Sequence, residues 1–109
     1  MLGRVLFINL LLGQEVFPCS LLRKTSLIYE IAYCAEPSAK LYPHNDEDGS
    51  VEMETIKAKT MYDFDFRKLS RLVQQRDESK KRSKFQKAEI YLPLPVLKVF
   101  IYTPQHYIY

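Results

Sequence analysis

Tryptophan is absent from the chain, glycine occurs three times and cysteine twice. With so few glycines, tight turns that need a positive φ have few natural positions, and no Gly-rich phosphate loop is present. Cys19 and Cys34, with fourteen residues between them, match no metal-ligand spacing. The two histidines, His44 and His106, lie in Pro-flanked, polar or terminal contexts, and no Ser elbow accompanies them. An enzyme needs a clustered nucleophile, base and stabiliser, or a metal or phosphate cradle. The sequence offers none of these, so it reads as non-enzymatic, with no cofactor and no metal. Long hydrophobic runs are missing too. Gln14 and Glu15 break the first apolar stretch well short of the roughly 20 residues that a membrane-spanning helix needs. No internal repeat is visible.

What is present is a chain of 109 residues, 47% apolar and 27% charged, with a net charge of +3. That length holds one domain at most, and that composition suffices for a core. The apolar residues crowd into 1–35 and 88–109, so a core must bring the two ends together around the centre. Four regions follow: an apolar N-terminal element (1–35), a polar acidic loop (36–60), an amphipathic-to-basic helix (61–87) and a Pro-interrupted apolar and aromatic tail (88–109). The fold class expected is α+β. It is a small irregular single domain with one central amphipathic helix, an apolar N-terminal element and a C-terminal strand over 96–102, and with room for disordered parts.

Residues 61–87 carry the clearest physical pattern. Phe66, Leu69, Leu72 and Val73 fall at i, i+3, i+6 and i+7, which puts four apolar side chains on one helix face. This is the candidate docking face. Asp63 and Asp65 lie near the expected N-terminus, and Lys80, Lys81, Arg82 and Lys84 toward the C-terminus, as the helix dipole favours. Asp63 with Arg67, Asp77 with Lys81 and Glu78 with Arg82 are acid-then-base pairs at i,i+4. The apolar face then runs out: positions 76, 77, 80 and 84 are Arg, Asp, Lys and Lys. Two turns are therefore expected to dock on a core while the rest projects into water.

The basic residues fall into two clusters, Arg67-Lys68 and Lys80-Lys81-Arg82-Ser83-Lys84, with eleven residues between them. The spacing resembles a bipartite nuclear import signal, which is read as extended chain; such runs are also commonly solvated surface. Phe85 and Tyr91 flank the second cluster, an arrangement that can combine base stacking with phosphate contacts. The low whole-chain charge and the lack of any recognised nucleic-acid motif argue against that partner. Arg67-Lys68-Leu69-Ser70 resembles a basophilic kinase substrate, although Ser70 reads first as a helix-surface residue.

Elsewhere the signals are mixed. Residues 1–20 resemble a secretory signal peptide in outline, with Arg4 before the apolar run, but Asn9 interrupts that run and no small-residue cleavage site follows. A buried element that opens the domain is the favoured alternative. In 21–35, Leu27, Tyr29, Ile31 and Tyr33 alternate as in a strand, whereas Leu27, Ile28, Ile31 and Ala35 form a helix face with Ser26 as a cap; helix is expected. Residues 37–50 read as loop. His44 to Thr55 resembles a degraded EF-hand, with Asp46, Asp48 and Gly49 in place but His44 and Thr55 where the first and last carboxylates belong, so an acidic turn is expected rather than a calcium site. Residues 51–61 read as a weak strand or a lead-in to the helix. Pro93 and Pro95 argue against both helix and central strand. Val96 to Tyr102 has the best strand composition in the chain. Tyr91-Leu92-Pro93-Leu94 resembles a tyrosine-based sorting signal. Cys19 and Cys34 are expected to pair only in a secreted protein and otherwise to be small buried hydrophobes.

Three functional readings follow. The first is a small non-enzymatic intracellular protein, nuclear if the import signal is used, that engages a protein partner through residues 61–87. The second is a secreted or membrane-associated protein that uses its N-terminus as signal or anchor. The third is a chance reading frame with no selected function, suggested by agreement between local signals only in the middle of the chain.

Overall fold

The structure, a computed structural model, describes residues 9–10, 12–13, 16, 27–45, 49–102 and 107–108, and the side chains among these up to residue 98. In chain order the elements are β1 (Ile28–Tyr33), β2 (Ser38–Pro43), β3 (Glu54–Lys57), α1 (Phe66–Val73), β4 (Arg76–Asp77), β5 (Arg82–Ser83), β6 (Phe85–Leu92), a 3-10 helix (Pro95–Tyr102) and β7 (Tyr107–Ile108). Five strands form one mixed sheet in the order β3-β2-β6-β1-β7, while β4 and β5 form a separate hairpin. The β1 and β6 strands run parallel, and the other pairings are antiparallel. The radius of gyration, 13.6 Å, is that of a single domain of this length.

The architecture is α+β, but the sheet rather than the helix lies at its centre. Register explains which side of the sheet is dry. Tyr29 pairs with Ala88, Ile31 with Ile90, and Ile90 in turn with Ala39, which pairs with Ile56. All of these side chains are buried, as expected where every second residue of a strand faces the core. Leu69, Leu72 and Val73 of α1 join the same buried cluster, as do Val16, Phe64, Phe85 and Leu97. The tyrosine hydroxyl at position 29 is pushed to high pKa by its burial.

Several expectations are corrected. The helix expected over 61–87 ends at Val73. Beyond it no apolar residue continues the docking face, so nothing holds further turns against the core. Gln74 closes the helix, the chain turns into the β4–β5 hairpin, and Lys81 takes a left-handed φ of 54° at the turn. The acid–base pairs at 77/81 and 78/82 therefore do not stand on a helix. Of the two acids expected near the helix start, Asp65 caps α1, its carboxylate accepting from the Lys68 N–H at 3.0 Å. Asp63 instead closes a turn with the Thr60 hydroxyl.

In 21–35 the alternating pattern prevails over the helical one, and residues 28–33 are a strand; Ser26 lies outside the described residues. The loop expected over 37–50 contains β2, whose Ala39 and Leu41 are both fully buried. The sheet's central strand, β6, takes its first three residues from the region expected as helix and the rest from the tail. Its pairing slips at Tyr42/Pro43, where Tyr42 faces Lys87 and Pro43 faces Phe85. Gln86 is thus an extra residue, a bulge that lets Phe85 and the later set Ala88, Ile90 and Leu92 all face the core. The strand expected over 96–102 is a 3-10 helix. Pro95 opens it, where a missing N–H costs nothing and the fixed φ already suits a helix, and the Leu97 N–H donates to the Leu94 carbonyl at 2.9 Å. Among the described residues no helix is long and apolar enough to cross a membrane.

Candidate functional site

Residues 66–84, α1 and the hairpin, make up most of the excursion between edge strand β3 and central strand β6. This helix–hairpin unit holds eight bases (Arg67, Lys68, Arg71, Arg76, Lys80, Lys81, Arg82, Lys84) and two acids (Asp77, Glu78), a net +6; Asp63 and Asp65 lie just before it. The whole chain carries +3, so the remainder carries −3. Arg67 and Arg71 are exposed on α1 one turn apart, and Lys80 and Lys81 are exposed at the hairpin turn. Lys68, Arg82 and Lys84 are half-buried. Arg76 bridges Glu78 at 3.4 Å, whereas Arg67, Lys68, Arg71 and Lys81 make no ion pair among the described residues.

The hairpin is held at its base. The Lys84 N–H donates to the Gln75 carbonyl at 2.9 Å, and the His44 ring Nε2 lies 2.9 Å from the Ser83 carbonyl. At the turn, Asp77 accepts from the Ser79 N–H and, at 2.6 Å, from the Ser79 hydroxyl. These bonds, the hydroxyl first, hold the Asp77 carboxyl below its ordinary pKa.

The expected docking face is divided. Leu69, Leu72 and Val73 are buried in the chain's own core, so they are closed to a partner. Phe66 is half-buried and lines a cleft of about 530 Å³ at the start of α1 with Met61, Tyr62, Arg67 and Leu94. Phe64 forms its floor, packed edge-on against Phe66 with ring centroids 4.7 Å apart. Tyr62 stands at the mouth, 95% exposed. The acidic-aromatic run Met61-Tyr62-Asp63-Phe64-Asp65-Phe66 was the sequence signal for this cleft. Leu94 could not be foreseen from the sequence, because only the fold brings it there.

Other expected features are placed as follows. Arg67 and Lys68 stand in the first turn of α1 and Arg82 in β5, so presenting both clusters as extended chain to an import receptor requires opening both elements. Phe85 is buried, with the Lys84 ammonium 5.7 Å above its ring, and cannot stack on a base. Ser70 is half-buried and its hydroxyl accepts from Gln74. Cys34 is an exposed free thiol rather than a buried hydrophobe, and Cys19 lies outside the described residues. Asp46 and Asp48 of the degraded EF-hand and most of residues 1–20 also lie outside them. Val16 is nevertheless buried, its N–H donating to the Asn9 side chain at 3.0 Å. Among the described residues no cluster of His, Cys, Asp or Glu is arranged to hold a metal ion.

A second polar region lies on the polar face of the sheet, opposite the core, with its side chains half-buried. Lys40 pairs with Glu89 and Glu89 with Glu30, across three adjacent strands. Lys87 reaches both carboxylates, at 3.3 Å to Glu89 and 3.7 Å to Glu30. The Tyr42 hydroxyl donates to Glu89 at 2.7 Å, and Lys87 sits 5.0 Å above the Tyr42 ring. Burial pushes the Glu89 carboxyl up, but Tyr42, Lys87 and Lys40 together outweigh it and hold it below the ordinary value. The hydrogen bond to Glu89, with burial second, pushes the Tyr42 hydroxyl up to about 12. The bond to Glu89 likewise raises Lys87. The alternation Lys87, Glu89, Tyr91 against Ala88, Ile90, Leu92 was the sequence signal for this face.

No family model, curated protein or solved structure matches the chain.

Proposed function

We propose that the chain is a small non-enzymatic interaction protein that docks on an acidic protein partner through the basic helix–hairpin unit, residues 66–84. The observation that carries this reading is the segregation of charge. The helix–hairpin unit has a net +6 while the rest of the chain is negative, and four of its cations have no ion pair among the described residues. Unbalanced charge of one sign on an ordered surface attracts a partner of the opposite sign and speeds its arrival. A protein suits the surface better than a nucleic acid. Asp77 and Glu78 stand among the bases and oppose a continuous phosphate track, and the aromatic next to the bases, Phe85, is sealed in the core.

Fluorescence anisotropy with a labelled glutamate-rich peptide tests the reading. Binding is expected at low salt, weakening as salt screens the charges. The double variant Lys80→Glu/Lys81→Glu should weaken it by about tenfold or more. No binding by the wild-type chain at low salt overturns the reading. Tighter binding to a single-stranded oligonucleotide than to the peptide overturns the choice of protein as partner.

A further inference from the structure

We infer that the acidic segment recognised by the helix–hairpin unit carries a large apolar anchor, leucine-like or aromatic, which fills the cleft at the start of α1. The inference rests on the docking reading above and adds the chemistry of the partner. The cleft, about 530 Å³, falls within the range of ligand pockets (about 300–1,000 Å³); it is open to solvent, and its lining is about half apolar, with Met61, Phe64, Phe66 and Leu94 supplying the apolar part and Asp65 and Arg67 at the rim. Met61, Phe66 and Leu94 are each half-buried, so each offers apolar surface that an inserted side chain would cover. The cleft has two charged residues, Asp65 and Arg67. Asp65 is engaged as the cap of α1. Arg67 is exposed and has no ion pair among the described residues. Asp65 keeps its negative charge but its carboxylate is turned to the helix N-terminus, so the group free to pair with an incoming residue is the Arg67 guanidinium, and a residue placed against it should be negative.

Position joins the cleft to the basic surface. Arg67 belongs to both, and Arg71 lies one helical turn further on, about 5–6 Å away between Cβ atoms. A segment with its anchor in the cleft can run its carboxylates along Arg67 and Arg71 toward the hairpin. An apolar side chain seated in a pocket and rimmed by charge pairs is the arrangement that concentrates binding energy at protein interfaces. Charge alone gives modest, salt-sensitive attraction, and an open cleft alone gives no direction.

The test uses the full chain and three labelled peptides: an acidic peptide with one central leucine, the same peptide with alanine at that position, and plain polyglutamate. The leucine peptide should bind about tenfold or more tightly than the alanine peptide, as burial of one such side chain implies. Met61→Gln, polar but uncharged, should abolish that difference while leaving polyglutamate binding unchanged, and thermal melting verifies that the variant folds. Tyr62→Ala, at a residue 95% exposed and so safe for folding, should narrow the difference. Lys80→Glu/Lys81→Glu should weaken all three peptides. Equal binding of the leucine and alanine peptides overturns the inference while the docking reading stands; failure of polyglutamate to bind at low salt overturns the docking reading. A free aryl carboxylate that binds the cleft as tightly as the leucine peptide overturns the inference in favour of a small-molecule site. Dimerisation of the chain alone that Met61→Gln abolishes overturns it in favour of a second copy.

Discussion

The polar face of the sheet and the helix–hairpin unit use the same kinds of residue to opposite ends. On the sheet, Glu30, Lys40, Lys87 and Glu89 present two charges of each sign: Lys40 lies opposite Glu89, and Lys87 bridges Glu89 on its own strand and Glu30 on the next, offsetting the facing of Glu30 and Glu89. The helix–hairpin unit sets eight cations against two acids, and Arg67, Arg71 and Lys81 face solvent without an ion pair among the described residues. Balanced cross-strand charges stabilise the strands that carry them. Unbalanced charges on a surface contribute little to folding and repel one another, so they remain available for a partner. The residue types alone do not distinguish the two cases; pairing geometry does.

The most severe way to break the comparison is to free one region from the other. Leu69, fully buried, clamps α1 to the sheet. Leu69→Ala is expected to cost about 2–5 kcal/mol, read as a fall in the urea midpoint. A change below about 1 kcal/mol would mean that α1 does not pack as described.

The contrast itself is sharpened by removing one charge from each region. Glu89→Ala deprives Tyr42 and Lys87 of their acceptor on a half-buried face and should cost about 1–3 kcal/mol. Arg71→Ala should change stability by no more than about 0.5 kcal/mol while weakening the acidic peptide. Equal stability losses would erase the distinction.

Acidity and alkalinity attack the sheet face from opposite sides. The folded chain holds Glu89 below its ordinary 4.5, so its contribution is complete above that pH and is lost as pH falls through the folded value. Tyr42 is raised from 10.0 to about 12, so its contribution is complete below pH 10.0 and is lost as pH rises toward 12. Melting temperature followed across pH should therefore decline on both sides. Glu89→Gln should flatten the acid side, and Tyr42→Phe should reduce the decline between pH 10.0 and 12. An acid limb unchanged by Glu89→Gln would assign it to other carboxylates.

A small gain is expected at the hairpin turn. Lys81 adopts a φ of 54°, which glycine takes at no steric cost. Lys81→Gly should stabilise the chain by up to about 1 kcal/mol in urea denaturation and at the same time weaken peptide binding. A loss of stability would show that the turn is not strained.

Some of this was legible in the residues. The spacing of Phe66, Leu69, Leu72 and Val73 marks α1, and its exhaustion at position 76 marks where docking must stop. The sheet was harder to read. In 27–35 two periodicities coexist, and local pattern cannot choose between them until β6 offers a parallel partner. In β2 only Ala39 and Leu41 carry the strand signal, between prolines that read as turn chemistry. In β6 the bulge at Gln86 interrupts the alternation just where the basic cluster ends. Residues 96–102 have strand composition, yet the sheet beside β6 is already occupied by β1 and β2, and Pro95 starts a helical turn instead. The bases of the candidate site and their grouping within one segment could be read from the sequence. The arrival of Leu94 beside Phe66 belongs to tertiary structure.

The parallel pairing of Ile28–Tyr33 with Phe85–Leu92 also fixes an order of events during synthesis. A growing chain has made its first strand long before its middle one exists, so the sheet cannot close until residue 92 has left the ribosome. Loop-closure entropy makes such distant pairings slow to form. A chain halted at Lys84 should give no cooperative melt and should be cleared by proteases, because Ala39, Leu41 and Ile31 would then have no neighbour between them.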